Sequence, residues 1–268
     1  MHSPDARIDE HHRPGPLIKN TLKLSLISLS LLVVNIPISH AANLSVESGK
    51  KQVGLLELYT SEGCSSCPPA DRWVSTLLDE PELWQSFIPI ALHVDYWDYI
   101  GWKDRFASPS YSNRQRKYAR ENSLRTVYTP GFVYNGKEWR NWFVRRLLDF
   151  PDARETGILK LNVQDQDVIV DFDPISKSQQ PSRVHVALLG FDVKTQVDAG
   201  ENHGRTLTHD FVVLGLDNAT MNRNGELFSA TLDLPKAKVK SNRYAVAAWV
   251  SSANAQAPLQ SVGGWLTE

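Results

Sequence analysis

The sequence predicts an α/β domain followed by an all-β, sandwich-like domain. Two observations favour this fold class. Apolar strand-like runs alternate with helix-like runs as far as Phe150, and short strand-like runs separated by turn residues fill the chain from Asp152 onward. The predicted domains are therefore 45–151 and 152–268, and they follow an N-terminal targeting segment over 1–42.

Each element of the first domain is predicted from a local signal. The run Val53–Thr60 is mostly apolar, as in a strand covered on both faces. The pair Pro68–Pro69 fits the first positions of a helix, where N–H groups lack partners, and Asn135–Gly136 is typical of a hairpin turn. The predicted order is strand 53–60, helix 68–80, strand 86–97, helix 108–122, a proline-broken strand with a hairpin over 124–139, and helix 141–150.

The second domain is predicted from short runs of strand composition. Several of these runs alternate apolar with polar residues, and turn residues separate them, which is typical of an antiparallel sandwich or barrel. The predicted strands are 158–164, 167–173, 184–193, 209–216, 227–234 and 243–252.

Composition and charge narrow the class of protein. The chain has 268 residues, of which 41% are hydrophobic and 22% charged, so a core of ordinary size is expected. Its formal net charge is -1. A charge this small gives no electrostatic reason to expect a nucleic acid or an anionic membrane surface as a partner.

The N-terminus has the three parts of a secretory signal peptide. Lys19 and Lys23 precede an apolar run over 24–38, and small residues follow it. The run is short for a membrane span, so cleavage after Ala41 or Ala42 is predicted, and an uncleaved anchor is the alternative. The sequence thus predicts a periplasmic or secreted protein without a stable membrane anchor after cleavage, in a compartment that oxidises cysteines.

Cys64 and Cys67 are the only cysteines, and they lie where an apolar strand ends and a helix begins. Unpaired N–H groups and the helix dipole favour a thiolate at that position. Cys67 would lie one turn into the helix, close enough to resolve a mixed disulfide. Between them, Ser65 and Ser66 are small and polar and leave room for a partner, so a redox pair is predicted.

Two other interpretations of the cysteines stay open. A disulfide that closes so short a loop could be inert, although it would stabilise the fold little. Two thiolates with a histidine could also bind Cu(I) or Zn(II), with His93, His203 and His209 as candidates. Because no histidine has zinc-finger spacing to the cysteines, the sequence predicts no metal ligand and no cofactor.

Two stretches resemble known redox proteins. The stretch "LELYTSEGCSSC" resembles the start of a thioredoxin or glutaredoxin, and "LRTVYTPGFVYNGK" resembles the part of that family with a cis-proline. The resemblance implies a thioredoxin-like fold for 45–151. It also implies that Thr129 and Pro130 lie beside Cys64 and bind the partner chain, with Cys64 as the attacking and Cys67 as the resolving thiol.

Longer motifs resemble one particular family. The stretches "ELYTSEGCSSCPPAD", "HVDYWDYIGWKDRFASP" and "GENHGRTLTHDFVV" are similar to secreted bacterial thioredoxin-like proteins of unknown function (domain of unknown function 1223). This resemblance covers nearly the whole mature chain. It implies a family but no reaction.

The chain departs from ordinary thioredoxins at two places. Gly63 stands where an aromatic residue commonly precedes the first cysteine. Glu57 is the nearest candidate for the buried acid that accepts the Cys67 proton, and a strand-edge glutamate facing water is the alternative. Glu62 lies beside Cys64 and would oppose thiolate formation.

Three further residues are predicted to contact a substrate. Trp97 and Trp102 belong to an aromatic turn that forms either a partner-binding lip or a self-packed loop. Arg205 belongs to the loop "GENHGR", which either is a hairpin loop or reaches the first domain. The sequence predicts a thiol–disulfide oxidoreductase acting on exported protein thiols or on a redox partner protein. The alternatives are a copper-handling protein and a non-enzymatic binding module.

Overall fold

The computed structural model describes Gly15, residues 42–143 and residues 154–267. The predicted signal peptide, apart from Gly15 and Ala42, and the predicted boundary near Asp152 lie outside the described residues. Among the residues that are described, no helix is long and apolar enough to cross a membrane.

Strands are the main secondary structure of the described residues. They are β1 (Asn43–Glu47), β2 (Gly54–Thr60), β3 (Phe87–His93), β4 (Gly131–Tyr134), β5 (Lys137–Glu138), β6 (Gly157–Gln164), β7 (Asp167–Pro174), β8 (Pro181–Gly190), β9 (Val193–Gln196), β10 (Thr206–His209), β11 (Val212–Thr220), β12 (Asn222–Asn224), β13 (Leu227–Asp233), β14 (Tyr244–Ser252) and β15 (Pro258–Trp265). Within the same residues the α-helices are α1 (Pro68–Ser75) and α2 (Pro109–Arg120), and 3-10 helices cover Thr76–Asp79, Asp98–Ile100 and Asn141–Phe143.

The strands form three sheets. The largest has the order β15-β14-β8-β11-β3-β2-β4-β5, the second has the order β1-β6-β7-β13-β12, and the third pairs β10 with β9. In the largest sheet β2 and β3 are parallel, and β11 joins β3 in parallel where Val212 pairs with Ala91. Strands from both halves of the chain therefore share one sheet, within a unit that spans His40–Glu268.

The predicted fold class, an α/β thioredoxin-like domain followed by a separate β-sandwich, is wrong. The described residues are mostly β, with three sheets and two α-helices. The prediction assumed that β2 to β5 form a sheet of their own. Instead, β11 lies against β3 and continues the same sheet into β8, β14 and β15.

Strand β14 has an apolar run over 245–250 because both of its faces are buried. Alternate residues of a strand face opposite sides of the sheet. Ala245, Ala247 and Trp249 of β14 belong to a core that also contains residues of α1 and α2. Val246 and Val250 belong to the core between the eight-stranded and five-stranded sheets. A strand that serves two cores has no polar face.

Most individual elements agree with the sequence predictions. Strands β2 and β3 and helices α1 and α2 lie at the predicted positions, β4 and β5 form the hairpin around Asn135–Gly136, and the six strands predicted after residue 157 are present. The stretch 124–130 was predicted to be strand, but the strand begins only at Gly131. Of the predicted helix 141–150, the described part is a 3-10 turn over Asn141–Phe143.

Candidate functional site

The two cysteines form a disulfide at the start of α1. Cys64 and Cys67 are bonded through their Sγ atoms, and their Cα atoms are 5.4 Å apart. Cys67 is the N-cap residue of α1, and its carbonyl oxygen accepts hydrogen bonds from the N–H groups of Ala70 and Asp71. The sequence places the pair here because β2 ends at Thr60 and the two prolines after Cys67 begin the helix.

The sulfur atoms are covered although the turn between them is exposed. Cys64 is 1% exposed and Cys67 is 0% exposed, whereas Ser65 and Ser66 face solvent. The Ser66 hydroxyl lies 3.3 Å from the Cys64 sulfur. A partner can therefore contact the two serines directly. It can contact the sulfur atoms only after the residues that bury them change position.

The proline loop predicted from sequence is linked to this turn through Trp97. The Thr129–Pro130 bond is cis. The indole Nε1 of Trp97 donates a hydrogen bond to Thr129 Oγ1 at 2.7 Å. A Cβ atom built on Gly63 would lie 3.1 Å from the Cβ of Trp97. Trp97 therefore lies between the residue before Cys64 and the cis-proline loop, and this close packing accounts for glycine at position 63.

Beside the disulfide lies a buried acid–histidine cluster, which consists of Glu62, His93, Asp104 and His209. The four residues are between 0% and 3% exposed. His93 ends β3 and pairs with Thr60 at the end of β2, so the cluster lies at the carboxyl ends of the two parallel strands.

Each histidine of the cluster is paired with a carboxylate. Nδ1 of His93 lies 2.6 Å from Asp104 Oδ2, and Nε2 of His209 lies 3.1 Å from Glu62 Oε1. The two imidazole rings pack edge to face, with centroids 4.9 Å apart. Trp102 donates from Nε1 to the other oxygen of Glu62 at 2.9 Å. Trp102 is thus joined to the cluster.

The Asp104 carboxylate also holds the backbone of the disulfide turn. The N–H of Glu62 donates to Asp104 Oδ2 at 2.9 Å. Burial would lower the pKa of His93, but the charge and hydrogen bond of Asp104, with the charges of Asp71 and Glu62, raise the pKa to about 9. Burial also acts to raise the pKa of Asp104, and the paired His93 holds that pKa below its ordinary value. The Asp104 carboxylate therefore favours the protonated form of His93.

Asp71 is a further buried carboxyl group near the disulfide. It lies one turn along α1 from Cys67, and Thr60 Oγ1 donates a hydrogen bond to its Oδ1 at 2.8 Å. Burial raises the pKa of Asp71, while the charges of His209 and His93 and the hydrogen bond from Thr60 oppose the rise in part. Its protonated form is thus more accessible than that of an ordinary aspartate.

Glu57, predicted from sequence as the acid that accepts the Cys67 proton, is bound instead by Arg114. Arg114 of α2 binds both of its carboxylate oxygens, at 2.6 and 2.9 Å, and the Tyr118 hydroxyl donates to it at 2.6 Å. Glu57 and Thr60 point to opposite faces of β2 because they are three residues apart. Since Thr60 contacts α1, Glu57 faces the side of the sheet away from the disulfide helix.

A loop between β9 and β10 is hydrogen-bonded to the disulfide turn. The Asn202 amide donates to the carbonyl oxygens of Glu62 and Cys64, at 2.8 and 3.0 Å, and Asn202 is 0% exposed. The carboxylate of Glu201 accepts a hydrogen bond from the Ser65 N–H at 3.0 Å. Arg205, predicted to contact substrate, is exposed and donates to Asn202 Oδ1 at 3.0 Å.

The structure brings most of the predicted site residues together. Through the contacts described above, the disulfide turn with its two serines is joined to Trp97, Thr129, Trp102 and Arg205. Sequence reasoning missed the roles of Asp71, Asp104, Glu201 and Asn202. The stretch that contains Glu201 and Asn202 did stand out in the sequence for its glycines, Gly200 and Gly204, both of which have positive φ.

Two of the three histidines considered as metal ligands are paired with carboxylates, and the third, His203, is exposed. His93 and His209 pair with carboxylates, and the two cysteines are bonded to each other. In residues 42–143 and 154–267, no group of three or more histidine, cysteine or acidic side chains is arranged to hold a metal ion. Copper binding by the two thiolates and one histidine would first require the disulfide to be reduced.

Fold and site together define a mostly β protein with a C-x-x-C disulfide at a helix start. A buried acid–histidine cluster lies beside the disulfide, and Trp97 links the disulfide turn to a cis-proline loop. The chain belongs to the family described as "Protein of unknown function (DUF1223)", which matches residues 55–251. No curated protein sequence matches the chain.

Two solved structures are similar to this chain. One is protein AGR_C_4864 from Agrobacterium tumefaciens, with 25% sequence identity, a TM-score of 0.52, and coverage of 81% of this chain and 96% of that chain. The other is HBP35 of Porphyromonas gingivalis, with 13% identity, a TM-score of 0.54, and coverage of 81% of this chain and 76% of that chain. The second likeness concerns the fold alone.

Proposed function

We propose that the protein is a thiol–disulfide oxidoreductase that acts on cysteines of exported proteins. The observation that carries this proposal is the Cys64–Cys67 disulfide at the start of α1, with the exposed Ser65–Ser66 turn above it. A helix start lowers the pKa of a thiol and so favours exchange.

The exchange has two steps in the oxidising direction. A partner thiolate attacks Sγ of Cys64, the bond to Cys67 breaks, and Cys67 leaves as a thiolate. A second partner thiolate then attacks the partner's sulfur in the mixed disulfide and releases Cys64. The partner loses two electrons, the cysteine pair gains them, and the two partner thiols supply two protons. In the reducing direction Cys64 attacks and Cys67 resolves.

Asp71 is the group best placed to exchange a proton with Cys67. Its N–H donates to the Cys67 carbonyl oxygen at 3.1 Å, so the two residues share the first turn of α1. A carboxyl group whose pKa is raised by burial can hold a proton closer to neutral pH and pass it to a leaving thiolate. Glu57 is less suited because Arg114 binds both of its oxygens.

The surface around the cis-proline is the proposed contact for the partner chain. Pro130 lines a cleft of about 330 Å³ together with Tyr128, Arg140, Trp142 and Phe143. Aromatic and arginine side chains are favoured at protein interfaces. Trp97 joins this surface to the disulfide turn through its hydrogen bond to Thr129.

The proposal is tested by oxidation of a reduced peptide that contains two cysteines. The oxidised protein is expected to form the peptide disulfide and to become reduced itself, which mass spectrometry of both products measures. Cys67→Ala, incubated with the peptide in its disulfide form, should accumulate a mixed disulfide, because its Cys64 thiolate attacks the peptide disulfide and no second cysteine of the protein resolves the product. Cys64→Ser should give neither product. Unchanged peptide after prolonged incubation with the wild-type protein would refute the proposal.

Export is part of the same proposal and has its own test. When the full chain is expressed in a bacterium with a periplasm, the mature protein is expected to begin after Ala41 or Ala42. Mass spectrometry of the periplasmic fraction measures this terminus. Recovery of the uncleaved chain in the cytoplasm would contradict export. The peptide assay would still test thiol–disulfide exchange independently.

A further inference from the structure

We propose that the loop 200–205 is a gate over the disulfide, and that it opens to admit a partner thiol when exchange occurs. This inference rests on the proposed function for the identity of the partner. The gate itself concerns only access to the sulfur atoms, which can be measured with a small reductant.

Asn202 closes the gate. Its side-chain amide donates to two main-chain carbonyl oxygens of the disulfide turn, those of Glu62 and Cys64. The side chain is 0% exposed, and the sulfur of the adjacent Cys64 belongs to a residue only 1% exposed. A buried amide of this kind is retained where its hydrogen bonds are made, because leaving it unpaired is costly. Asn202 is thus bound to the turn that it covers.

Glu201 makes the second contact, at the exposed edge of the loop. Its Oε2 accepts the hydrogen bond of the Ser65 N–H. This hydrogen bond lowers the pKa of the Glu201 carboxyl group, so the contact is made by the carboxylate. Because the contact faces solvent, it can break without burying an unpaired charge.

Main-chain hydrogen bonds hold the base of the loop, and glycines flank its tip. The N–H of Gly204 donates to the carbonyl oxygen of Val197 at 2.8 Å, and the N–H of Val197 donates to that of Arg205 at 2.9 Å. Gly200 and Gly204 both have positive φ, at 74° and 80°, which glycine adopts at little cost. The tip that contains Glu201 and Asn202 lies between these two glycines, and rotation at the glycines is the motion that the proposed gate requires.

Opening the gate frees polar groups beside the disulfide. The loop releases the N–H of Ser65 and one hydrogen bond to the Cys64 carbonyl oxygen, which also accepts from the Cys67 N–H. The Ser65 N–H and the Cys64 carbonyl belong to one trans peptide unit and point in opposite directions, so a partner contacts them from different sides.

The gate is tested by the rate at which dithiothreitol reduces the disulfide. Asn202→Ala is expected to raise the second-order rate constant on the order of tenfold, the size expected for the loss of two hydrogen bonds. Glu201→Ala removes only an exposed contact, so it leaves folding intact and is expected to raise the rate about threefold. His203→Ala, an exposed residue of the same loop, serves as the control and should leave the rate unchanged.

The reduction rates of these variants decide whether the loop limits access to the disulfide. Faster reduction of both variants, with a circular dichroism spectrum like that of the wild type, supports the gate even if no peptide is oxidised. If Asn202→Ala fails to fold, the Glu201→Ala rate alone is decisive. Equal rates for Glu201→Ala, His203→Ala and wild type would overturn the gate and would leave the peptide assay of the proposed function unaffected.

Discussion

The side-chain amide of Asn202 donates a hydrogen bond to the carbonyl oxygen of Cys64, 138 residues earlier in the chain. The contact joins the disulfide turn, which follows β2, to the loop between β9 and β10. The site is therefore assembled from both halves of the chain, as is the eight-stranded sheet beneath it. Its properties depend on packing between segments that are far apart in sequence.

Breaking the buried ion pair of the acid–histidine cluster should destabilise the protein strongly. Asp104→Asn leaves the His93 imidazolium without its charge partner and weakens the bond that holds the Glu62 N–H. The expected loss in the free energy of unfolding is about 3 kcal/mol or more, measured by urea denaturation. Lys160→Ala removes an exposed pair with Glu47 and should cost less than about 1 kcal/mol. Equal effects of the two variants would show that the buried pair contributes no more than the exposed one.

The stability of the protein should fall as pH rises from about 6.5 to 9. The pKa of His93 is raised from 6.5 to about 9, so the folded state binds the proton more tightly than the unfolded state does. The resulting stability is fully present below pH 6.5 and is lost as pH rises through about 9, with a total on the order of 3 kcal/mol.

The measurement is urea denaturation at several pH values, with His93→Gln as the comparison. The difference in the free energy of unfolding between wild type and variant should shrink across this interval. A constant difference between pH 6 and pH 9.5 would mean that His93 does not hold the proton in the folded protein.

A side chain at position 63 should disturb the disulfide turn. A Cβ on Gly63 would lie 3.1 Å from Trp97 Cβ and 3.2 Å from Ile100 Cδ1, closer than normal contact. Gly63→Val should lower the free energy of unfolding by about 1 to 3 kcal/mol, as overpacking does, and should loosen the Trp97–Thr129 hydrogen bond. Tryptophan fluorescence during thermal unfolding measures both effects.

Gly49→Ala is the matched control for this substitution, because a Cβ there meets no atom within 4 Å. Its unfolding temperature should stay within about 2 °C of that of the wild type. The packing account fails if Gly63→Val is as stable as this control.

The local elements were predictable because their signals lie within a few residues. Strand β2 is buried along its whole length and its sequence is mostly apolar, the N-cap position of Cys67 follows from Pro68, and the hairpin follows from Asn135–Gly136. Each of these features depends on neighbours in the chain. The cysteine pair was therefore located correctly between β2 and α1, although Cys67 is the N-cap residue of α1 and does not lie one turn into the helix as predicted.

The arrangement of the sheet was not predictable in the same way. The run that forms β11 is apolar whether it packs within a sandwich or pairs with β3, so its sequence does not distinguish the two arrangements. Parallel pairing of Val212 with Ala91 joins strands more than a hundred residues apart. Local periodicity contains no information on such a pairing, and the predicted fold class failed there.

The burial of the polar groups of the site was not predictable either, because it also depends on contacts between segments that are distant in sequence. Asp104 and Asn202 occur in polar loops, where most such residues face water. Their burial depends on contacts with the disulfide turn. Glu57 stood out as an acid in an apolar strand, but nothing in its neighbourhood indicated that Arg114 of α2 would bind it.

The reduction potential of the Cys64–Cys67 pair tests the central claim most directly. Equilibration of the protein with glutathione buffers, followed by thiol alkylation and mass spectrometry, measures it. A pair that exchanges with protein thiols should lie between about −120 and −270 mV, the range of known exchange proteins. A potential below about −300 mV would identify a permanent structural disulfide and would contradict the proposed function.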